Sequence, residues 1–296
     1  MLPSFRSARL ESQYQSERKG ALATKDMRSA VAFTLLWAVI CYRFLGLDLL
    51  GLIKATAWLA AVGMKPVYVC KIVGKPFYTE YRAWIISFTK VVFAVHPPGE
   101  HLHLGLLALK GPPTALPGAL WNLAEGIRLP YLWITGFGWA DYVHNIPIQL
   151  ALIARAMADN TAQAPYFQSA GALSLLGGVA DWLSTTLANL MLLGGGGGLA
   201  PLQGKFPVAL DACTVLGAWI TFCLGFLLPT TVLYMAERQA KAKFAATHTE
   251  HMGDAERRYW EEAGVAPGTW VAVLTFLAYA CLLLWQVAVS IFTWLG

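Results

Sequence analysis

The chain alternates long apolar runs with short polar or charged segments. A helix needs about 20 mostly apolar residues to cross the hydrocarbon core of a bilayer. Three runs reach that length with almost no charge, and they cover residues 169–193, 208–235 and 269–295. The last of them contains no Asp, Glu, Lys, Arg or His. The three runs therefore predict membrane-crossing helices.

A fourth apolar run, residues 30–63, is too long for one crossing. It is interrupted by Arg43, Asp48 and Lys54 and by two glycines. Two short helices joined by a tight turn fit this pattern best, because each half is then bounded by charge or glycine.

Three further segments decide the number of crossings. Residues 117–139 form a candidate span that is bent or broken at Pro130, because proline removes a helix donor. Residues 82–96 are short for a crossing and span only if 77–81 join them. Otherwise they form a re-entrant or interfacial segment. Residues 141–158 are likewise a re-entrant or interfacial segment, or they form an extra span. We expect an all-α, polytopic transmembrane helix bundle with about seven crossings, or six or eight if these segments behave otherwise.

The basic residues supply an orientation. Lys and Arg in short loops collect on the cytoplasmic side, and a seven-crossing arrangement puts all three basic segments, 1–28, 65–75 and 236–268, on one side. The intervening loops hold little more than Lys110 and Lys205. The pattern predicts a polar, basic and mobile cytoplasmic tail at 1–28, and a multi-pass domain at 29–296 with a charged cytoplasmic loop at about 236–268. The carboxyl terminus lies outside, and which membrane holds the chain is not indicated.

The composition is typical of a membrane protein and does not indicate a nucleic-acid partner. The 296 residues are 57% hydrophobic and 13% charged, with a mean hydropathy of +0.52, whereas an average soluble domain carries roughly 25% charged residues. The net charge of +5 is not gathered in a basic tract with interleaved aromatics, so no nucleic-acid partner is indicated. The expected surroundings are the lipid bilayer and other membrane proteins, or further copies of the chain. The five cysteines form no CxxC pair, so no disulfide framework is implied.

One polar stripe lies inside the run at 169–193. Ser174, Gly178, Asp181, Thr185 and Asn189 fall within about 80° of one another on a helix with 100° per residue. Such a stripe could line a water-filled path or ligand pocket, in which Asp181 accepts a proton or balances a cation. It could equally hold helices together through small and hydroxylated residues.

Three other charged residues lie in candidate spans. Glu125 and Arg128 are three residues apart and can pair along a helix, which favours a structural role. Lys90 could extend to the headgroups, or it could balance the charge of Asp181 or Glu125. The sequence supports each of these interpretations.

A proline also interrupts the run at 208–235. Pro229 is followed by Thr230 and Thr231. This pattern suggests a kink in which hydroxyl groups satisfy the carbonyl that the proline leaves without a donor.

Histidines form two small groups. His96, Glu100, His101 and His103 could bind zinc, copper or iron, although the double proline and irregular spacing favour a solvated loop. A second group around His248 and His251 lies in a segment for which we expect a solvated amphipathic helix, 235–262. Membrane di-iron enzymes need several His pairs on one face, and the six histidines here are divided between both sides.

No catalytic or cofactor motif is found in the sequence, so no cofactor is identified and an enzyme is the minority interpretation. The final run has no Lys for a retinal Schiff base, and GxGD, Gly-x-Ser-Gly and Walker motifs are absent from the sequence. Three hypotheses follow. The first is a non-enzymatic scaffold, assembly or sensor protein of the membrane. The second is a transporter or channel that uses the Asp181 stripe, and the third is a metal-dependent membrane protein that uses His96 and its neighbours.

Overall fold

A computed structural model describes residues 4–44, 53, 64–95, 123, 129, 132–133, 142–169, 173–193, 209–263 and 267–295. Every regular element within these ranges is helical, which confirms the predicted all-α class. The helices are α1 Ala8–Phe44, α2 Lys65–Ile72, α3 Lys75–Val95, α4 Tyr142–Ser169, α5 Leu173–Leu193, α6 Ala209–Phe222, α7 Leu228–Thr247, α8 Asp254–Ala263 and α9 Pro267–Leu295.

Two of the described helical segments are long and apolar enough to cross a membrane. They are Thr214–Thr247, which runs from α6 into α7, and Gly268–Ile291 in α9. These segments match the predicted runs at 208–235 and 269–295. Most of the predicted span at 117–139 lies outside the described residues. The structure therefore supports two crossings by length and composition, and the count of seven stays a prediction.

The chain forms two compact units. The first contains Met1–Leu102, Phe137–Ile148 and Thr230–Ala266, and the second contains His103–Gly136, Gln149–Pro229 and Pro267–Gly296. In the first unit, α1, α2 and α3 pack together. In the second, α5, α6 and α9 pack together.

The amino-terminal segment of the first unit differs from the mobile tail that its polarity suggests. Helix α1 runs unbroken for 37 residues, through the polar segment and into the apolar run that follows. Phe5, Leu10 and Tyr14 are buried in a cluster with Phe244 and Trp260. The order comes from this packing, because a polar helix is marginal by itself and is stabilised when an apolar edge is buried.

The charged segment after Met235 is also less regular than expected. The predicted helix at 235–262 is interrupted, because α7 ends at Thr247 and α8 begins at Asp254. A 3-10 turn, Thr249–His251, lies between them. The residues at the interruption include two threonines and Gly253, which have low helix propensity, so the helix ends where they occur.

The core of the second unit is apolar. α5 contributes one face to it, and α6 and α9 contribute the facing side chains. Trp285 of α9 is fully buried, contacts the ring of Trp219 edge-to-face at 5.7 Å, and donates a hydrogen bond to Ser184 Oγ at 3.0 Å. The buried members are Leu123, Leu129, Leu176, Ala180, Leu183, Leu187, Val215, Leu216, Trp285 and Val289.

A π-helical segment, Cys223–Leu227, joins α6 to α7 just before Pro229. Proline has no N–H, so the Gly225 carbonyl, four residues earlier, lacks its usual helix donor. Gln149 Nε2 donates to that carbonyl at 2.8 Å. The predicted role of threonine hydroxyls does not hold for Thr230, because its buried Oγ1 has no hydrogen-bond partner among the described atoms. A side-chain amide from another helix performs this role instead.

The same segment packs closely against Leu132. A Cβ placed on Gly225 would lie 2.8 Å from Leu132 Cδ1, so only glycine fits without displacement of that side chain. Gln149 Nε2 also donates to the Leu132 carbonyl at 3.0 Å, and Trp133 Nε1 donates to the Leu224 carbonyl at 2.8 Å. Side-chain donors thus satisfy carbonyls that the irregular backbone exposes.

Candidate functional site

One face of α3 is buried and carries cationic groups. Tyr78, Arg82, Ile86 and Lys90 follow one another at four-residue spacing, and all four are buried. At 100° per residue they cover about 120° of the helix surface. Lys and Arg are almost never fully buried unless they are paired, so the partners of this face define the candidate site.

The other face of α3 exposes large apolar side chains. Phe77, Tyr81, Trp84, Phe88 and Val91 lie within about 80° of one another, and Trp84 is 73% exposed. A surface helix of a water-soluble protein has the opposite arrangement, with its apolar face buried. In membranes, charged side chains face the interior of the bundle. From Arg82 onwards, α3 thus buries its charged side chains and exposes apolar ones, whereas Lys75 and Glu80 near its start are exposed.

Arg82 forms a buried ion pair with Asp26 of α1. Arg82 Nη2 donates to Asp26 Oδ1 at 3.0 Å, and Arg82 Nε donates to Oδ2. The Tyr78 hydroxyl donates to the same Oδ2 at 2.8 Å. A planar guanidinium matches a carboxylate with two parallel hydrogen bonds. Both oxygens of the buried Asp26 carboxylate are therefore hydrogen-bonded by α3.

Lys90 has a partner on a third helix. Its Nζ donates to Asn145 Oδ1 of α4 at 2.6 Å, and both side chains are buried. This geometry differs from extension to the headgroups, which would require the end of the side chain to be exposed. Glu125, one of the counter-charges that the sequence suggests, lies outside the described residues.

We call Asp26, Tyr78, Arg82, Lys90 and Asn145 the buried polar set. Its members come from α1, α3 and the first turns of α4, which all belong to the first unit. The Asp26 carboxylate accepts two hydrogen bonds from the Arg82 guanidinium and one from the Tyr78 hydroxyl. The hydrogen bonds of this set join α1 to α3 and α3 to α4.

Sequence reasoning identified Lys90 in this set but missed the others. The signal was present, because Tyr78, Arg82 and Lys90 recur at multiples of four residues and large apolar residues alternate with them along α3. Asp26 could not be found in this way, because it lies in a polar segment that also contains Lys25 and Arg28.

The predicted stripe is present on α5. Gly178, Asp181, Thr185 and Asn189 all lie on the exposed side of the helix, and Trp182 beside them is 62% exposed. The opposite side of α5 is buried in the core of the second unit. The structure therefore brings these stripe residues together, on an outer surface.

The histidine hypotheses have different outcomes. His96, Glu100, His101 and His103 lie outside the described residues, and no group of three or more potential metal ligands occurs within the part of the chain that the structure describes. His248 contacts other side chains, although a solvated helix is expected there. Its ring stacks on Phe244 at 4.0 Å, and its Nε2 lies 3.0 Å from Gln13 Nε2.

An aromatic cluster holds the start of α1. Phe5 contacts the rings of Trp260 and Phe244 at 4.9 and 5.6 Å, and Tyr14 contacts Phe244 at 5.3 Å. Lys241 Nζ lies 5.2 Å from the centre of the Tyr14 ring. We call Phe5, Leu10, Tyr14, Phe244 and Trp260 the amino-terminal cluster. It joins the basic start of the chain to the charged segment after Met235.

Ion pairs surround this cluster. Lys241 Nζ donates to Glu11 Oε1 at 2.9 Å, and Arg18 Nη2 lies 3.0 Å from Glu237 Oε2. Partial burial alone would raise the pKa of Glu11, but hydrogen bonds from Gln15, Lys241 and the backbone outweigh it and lower that pKa. Burial, followed by the hydrogen bond to Glu237, raises the pKa of Tyr14, so the Tyr14 hydroxyl remains a donor.

Comparison with known proteins adds no assignment: no family model, no curated protein and no solved structure matches the chain.

Proposed function

We propose that this protein is a multi-pass membrane protein that acts without chemistry of its own, as a scaffold on which membrane proteins assemble. The surface of α9 supports its place in the bilayer. The segment Gly268–Ile291 is 24 residues long, yet only 11% of its most apolar stretch is buried. The core helix of a water-soluble protein would be mostly buried, so this exposed apolar surface favours contact with lipid.

Helix α3 supports a further crossing. Its 21 residues correspond to about 31 Å at 1.5 Å per residue, close to the thickness of the hydrocarbon core. Arg82 and Lys90 are buried, whereas Lys75 and Glu80 near the start of the helix are exposed, and Phe77, Tyr81, Trp84 and Phe88 are exposed. The continuous helix includes residues 77–81, which the short candidate at 82–96 needed to reach this length.

The proposed topology has seven crossings. The amino terminus is cytoplasmic and the carboxyl terminus lies on the other side. This arrangement places the basic segments 1–28, 65–75 and 236–268 together on the cytoplasmic face, as the orientation rule requires. The amino-terminal cluster supports it, because its contacts join the first and the last of these segments within one unit.

The observation that carries the scaffold function is the state of the buried charges. Asp26, Arg82 and Tyr78 bond to one another, and Lys90 bonds to Asn145. An ion path needs charged groups that exchange protons or cations with water. Groups that already satisfy one another hold helices in place, which supports a structural role for the interior and leaves the outer surface for partners.

The two alternatives rest on other residues. Transport would use Asp181, whose exposed position favours a contact surface over a path inside the bundle. Metal binding would use His96, Glu100, His101 and His103, and nothing in the described residues favours it. A scaffold needs none of these groups to react.

The test compares assembly with transport on the full chain. Native electrophoresis of gently solubilised membranes should place the 32.2 kDa chain in an assembly larger than its own mass. Liposomes that contain the purified protein should show the same proton and potassium leak as empty liposomes. Ion flux that is lost in the Asp181→Asn variant would overturn the scaffold function in favour of transport.

Topology is tested separately. Reporter domains fused to the amino and carboxyl termini should report opposite sides of the membrane. Two termini on the same side would contradict seven crossings without contradicting the scaffold function.

A further inference from the structure

The outer face of α5 is polar although α5 packs among apolar helices. We call Gly178, Asp181, Thr185 and Asn189 the Asp181 face. All four residues are exposed, and Asp181 is the one ionisable residue in the 21 residues of α5. A polar outer face is ordinary in water but unfavourable in hydrocarbon. The depth of Asp181 in the bilayer therefore decides whether this face needs a partner.

The length of α5 gives that depth, and a hydrogen bond to α9 agrees with it. Ser184 lies one helical turn from Asp181, and its Oγ accepts the bond from Trp285 Nε1. If the apolar segment Gly268–Ile291 is centred in the bilayer, Trp285 lies about 8 Å from the midplane. The 21 residues of α5 match one crossing and Asp181 lies two residues from their midpoint, so a crossing by α5 places Asp181 about 3 Å from the midplane.

The rest of α5 prevents the helix from turning this face inward. Leu176, Ala180, Leu183 and Leu187 are buried in the apolar core of the second unit. Rotation that buried Asp181 would expose these four side chains and would break the bond between Ser184 and Trp285. The Asp181 face therefore points out of the described bundle.

We propose that the Asp181 face binds a transmembrane helix of a different protein, and that this helix carries a Lys or Arg side chain at the depth of Asp181. The proposal rests on the scaffold function and names the class of partner that the scaffold holds. A carboxylate in hydrocarbon is stabilised by an opposite charge, and charged residues within membranes pair with one another for this reason.

The shape of the face suits a helix as the partner. Nothing lies within 4 Å of the position that a Cβ on Gly178 would occupy, so another helix backbone can approach there. Thr185 and Asn189 continue the row with hydroxyl and amide groups that can bond across the contact. A second copy in the same orientation fits less well, because a two-fold axis through this face would place two Asp181 carboxylates opposite each other.

The experiment uses the full chain in liposomes with designed transmembrane peptides. Each peptide is a Leu-rich helix with one central test position, occupied by Lys, Leu or Glu, and association is measured by energy transfer between dyes. The Lys peptide should bind the protein about tenfold more tightly than the Leu peptide, and the Glu peptide should show no gain.

Variants locate the effect. Asp181→Asn keeps the shape of the side chain and should abolish the preference for Lys, while Asp181→Lys should transfer the preference to the Glu peptide. Thr185→Val should weaken binding of the Lys peptide, whereas Thr275→Val, which removes an exposed hydroxyl from α9, should leave it unchanged.

Three results would overturn the proposal. In the first, the unaltered protein binds the Lys and Leu peptides equally. In the second, the Asp181→Asn variant keeps the preference for Lys. In the third, the chain associates with itself and Asp181→Asn abolishes that association. Each would leave the scaffold function standing if the native assembly persists. A chain that is monomeric in its native membrane and conducts ions would instead contradict the scaffold function itself.

Discussion

Arg82 of α3 and Asp26 of α1 meet in the interior of the first unit, where their side chains are 2% and 0% exposed. The guanidinium donates to both carboxylate oxygens. Each residue thus neutralises a charge that would otherwise be buried alone. A pair of this kind makes the removal of one member far more harmful than the removal of both.

Loss of Arg82 alone should destabilise the protein strongly. Arg82→Leu leaves the Asp26 carboxylate buried without its cation, and we expect the free energy of unfolding to fall by about 3–5 kcal/mol. The double variant Asp26→Leu/Arg82→Leu should recover much of that loss, because neither charge remains. Unfolding in detergent micelles, followed by circular dichroism, measures both effects.

An exposed ion pair serves as the matched control. Arg257 and Glu261 are one helical turn apart on α8, with N–O contact at 3.1 Å and both side chains more than half exposed. Arg257→Leu should lower the unfolding free energy by less than about 1 kcal/mol. Equal effects of Arg82→Leu and Arg257→Leu would contradict the structural role of the buried pair.

A methyl group added at Gly225 should destabilise the protein. Gly225→Ala places a methyl group against the buried Leu132, and forced displacement in a packed interior costs about 1–3 kcal/mol. Combining it with Leu132→Ala should remove the additional penalty, which a double-mutant cycle of unfolding free energies detects. Gly177→Ala is the control, because no atom lies within 4 Å of its added methyl. A neutral Gly225→Ala would show that the contact is looser than the structure indicates.

The amino-terminal cluster should loosen in acid. The pKa of Glu11 is lowered from its ordinary value of 4.5 in the folded chain. Its contribution to stability is therefore present above 4.5 and is lost as the pH falls through the lower folded-state value. Hydrogen-exchange protection of residues 5–19, taken relative to the intrinsic exchange rate at each pH, should fall over that range.

The Glu11→Gln variant isolates this titration. The introduced amide has no charge to lose, so the acid-induced loss of exchange protection at residues 5–19 should be smaller than in the unaltered protein. An identical pH profile for both proteins would assign the effect to other groups.

The two faces of α3 should respond differently to lipid-soluble probes. Spin labels at Phe88→Cys and Ile86→Cys report the exposed and the buried face of the helix. Collisions with oxygen, which concentrates in hydrocarbon, should be frequent at position 88 and rare at 86. If the label at position 88 collides more often with a water-soluble nickel complex than with oxygen, this face lies in water. That result would contradict the crossing proposed for α3.

Helices with long, continuous apolar runs could be predicted from the sequence. The apolar runs at 208–235 and 269–295 correspond to the described candidate spans, because length and continuous hydrophobicity are read directly from the chain. The stripe of Gly178, Asp181, Thr185 and Asn189 was predicted by spacing alone, since residues three or four apart share a face of any helix. Its position on the outer surface was not predicted, because it depends on which neighbours cover the other face.

The sequence by itself determined the helical class, the candidate spans and the grouping of the Asp181 stripe, because each follows from hydrophobicity and helical period within one segment. Only the tertiary structure decided the partners. It joined Asp26 to Arg82, Lys90 to Asn145 and Gln149 to the Gly225 carbonyl, and it directed Asp181 outward. Such pairs are set by the packing of helices that are distant in the chain, and local periodicity does not contain that information.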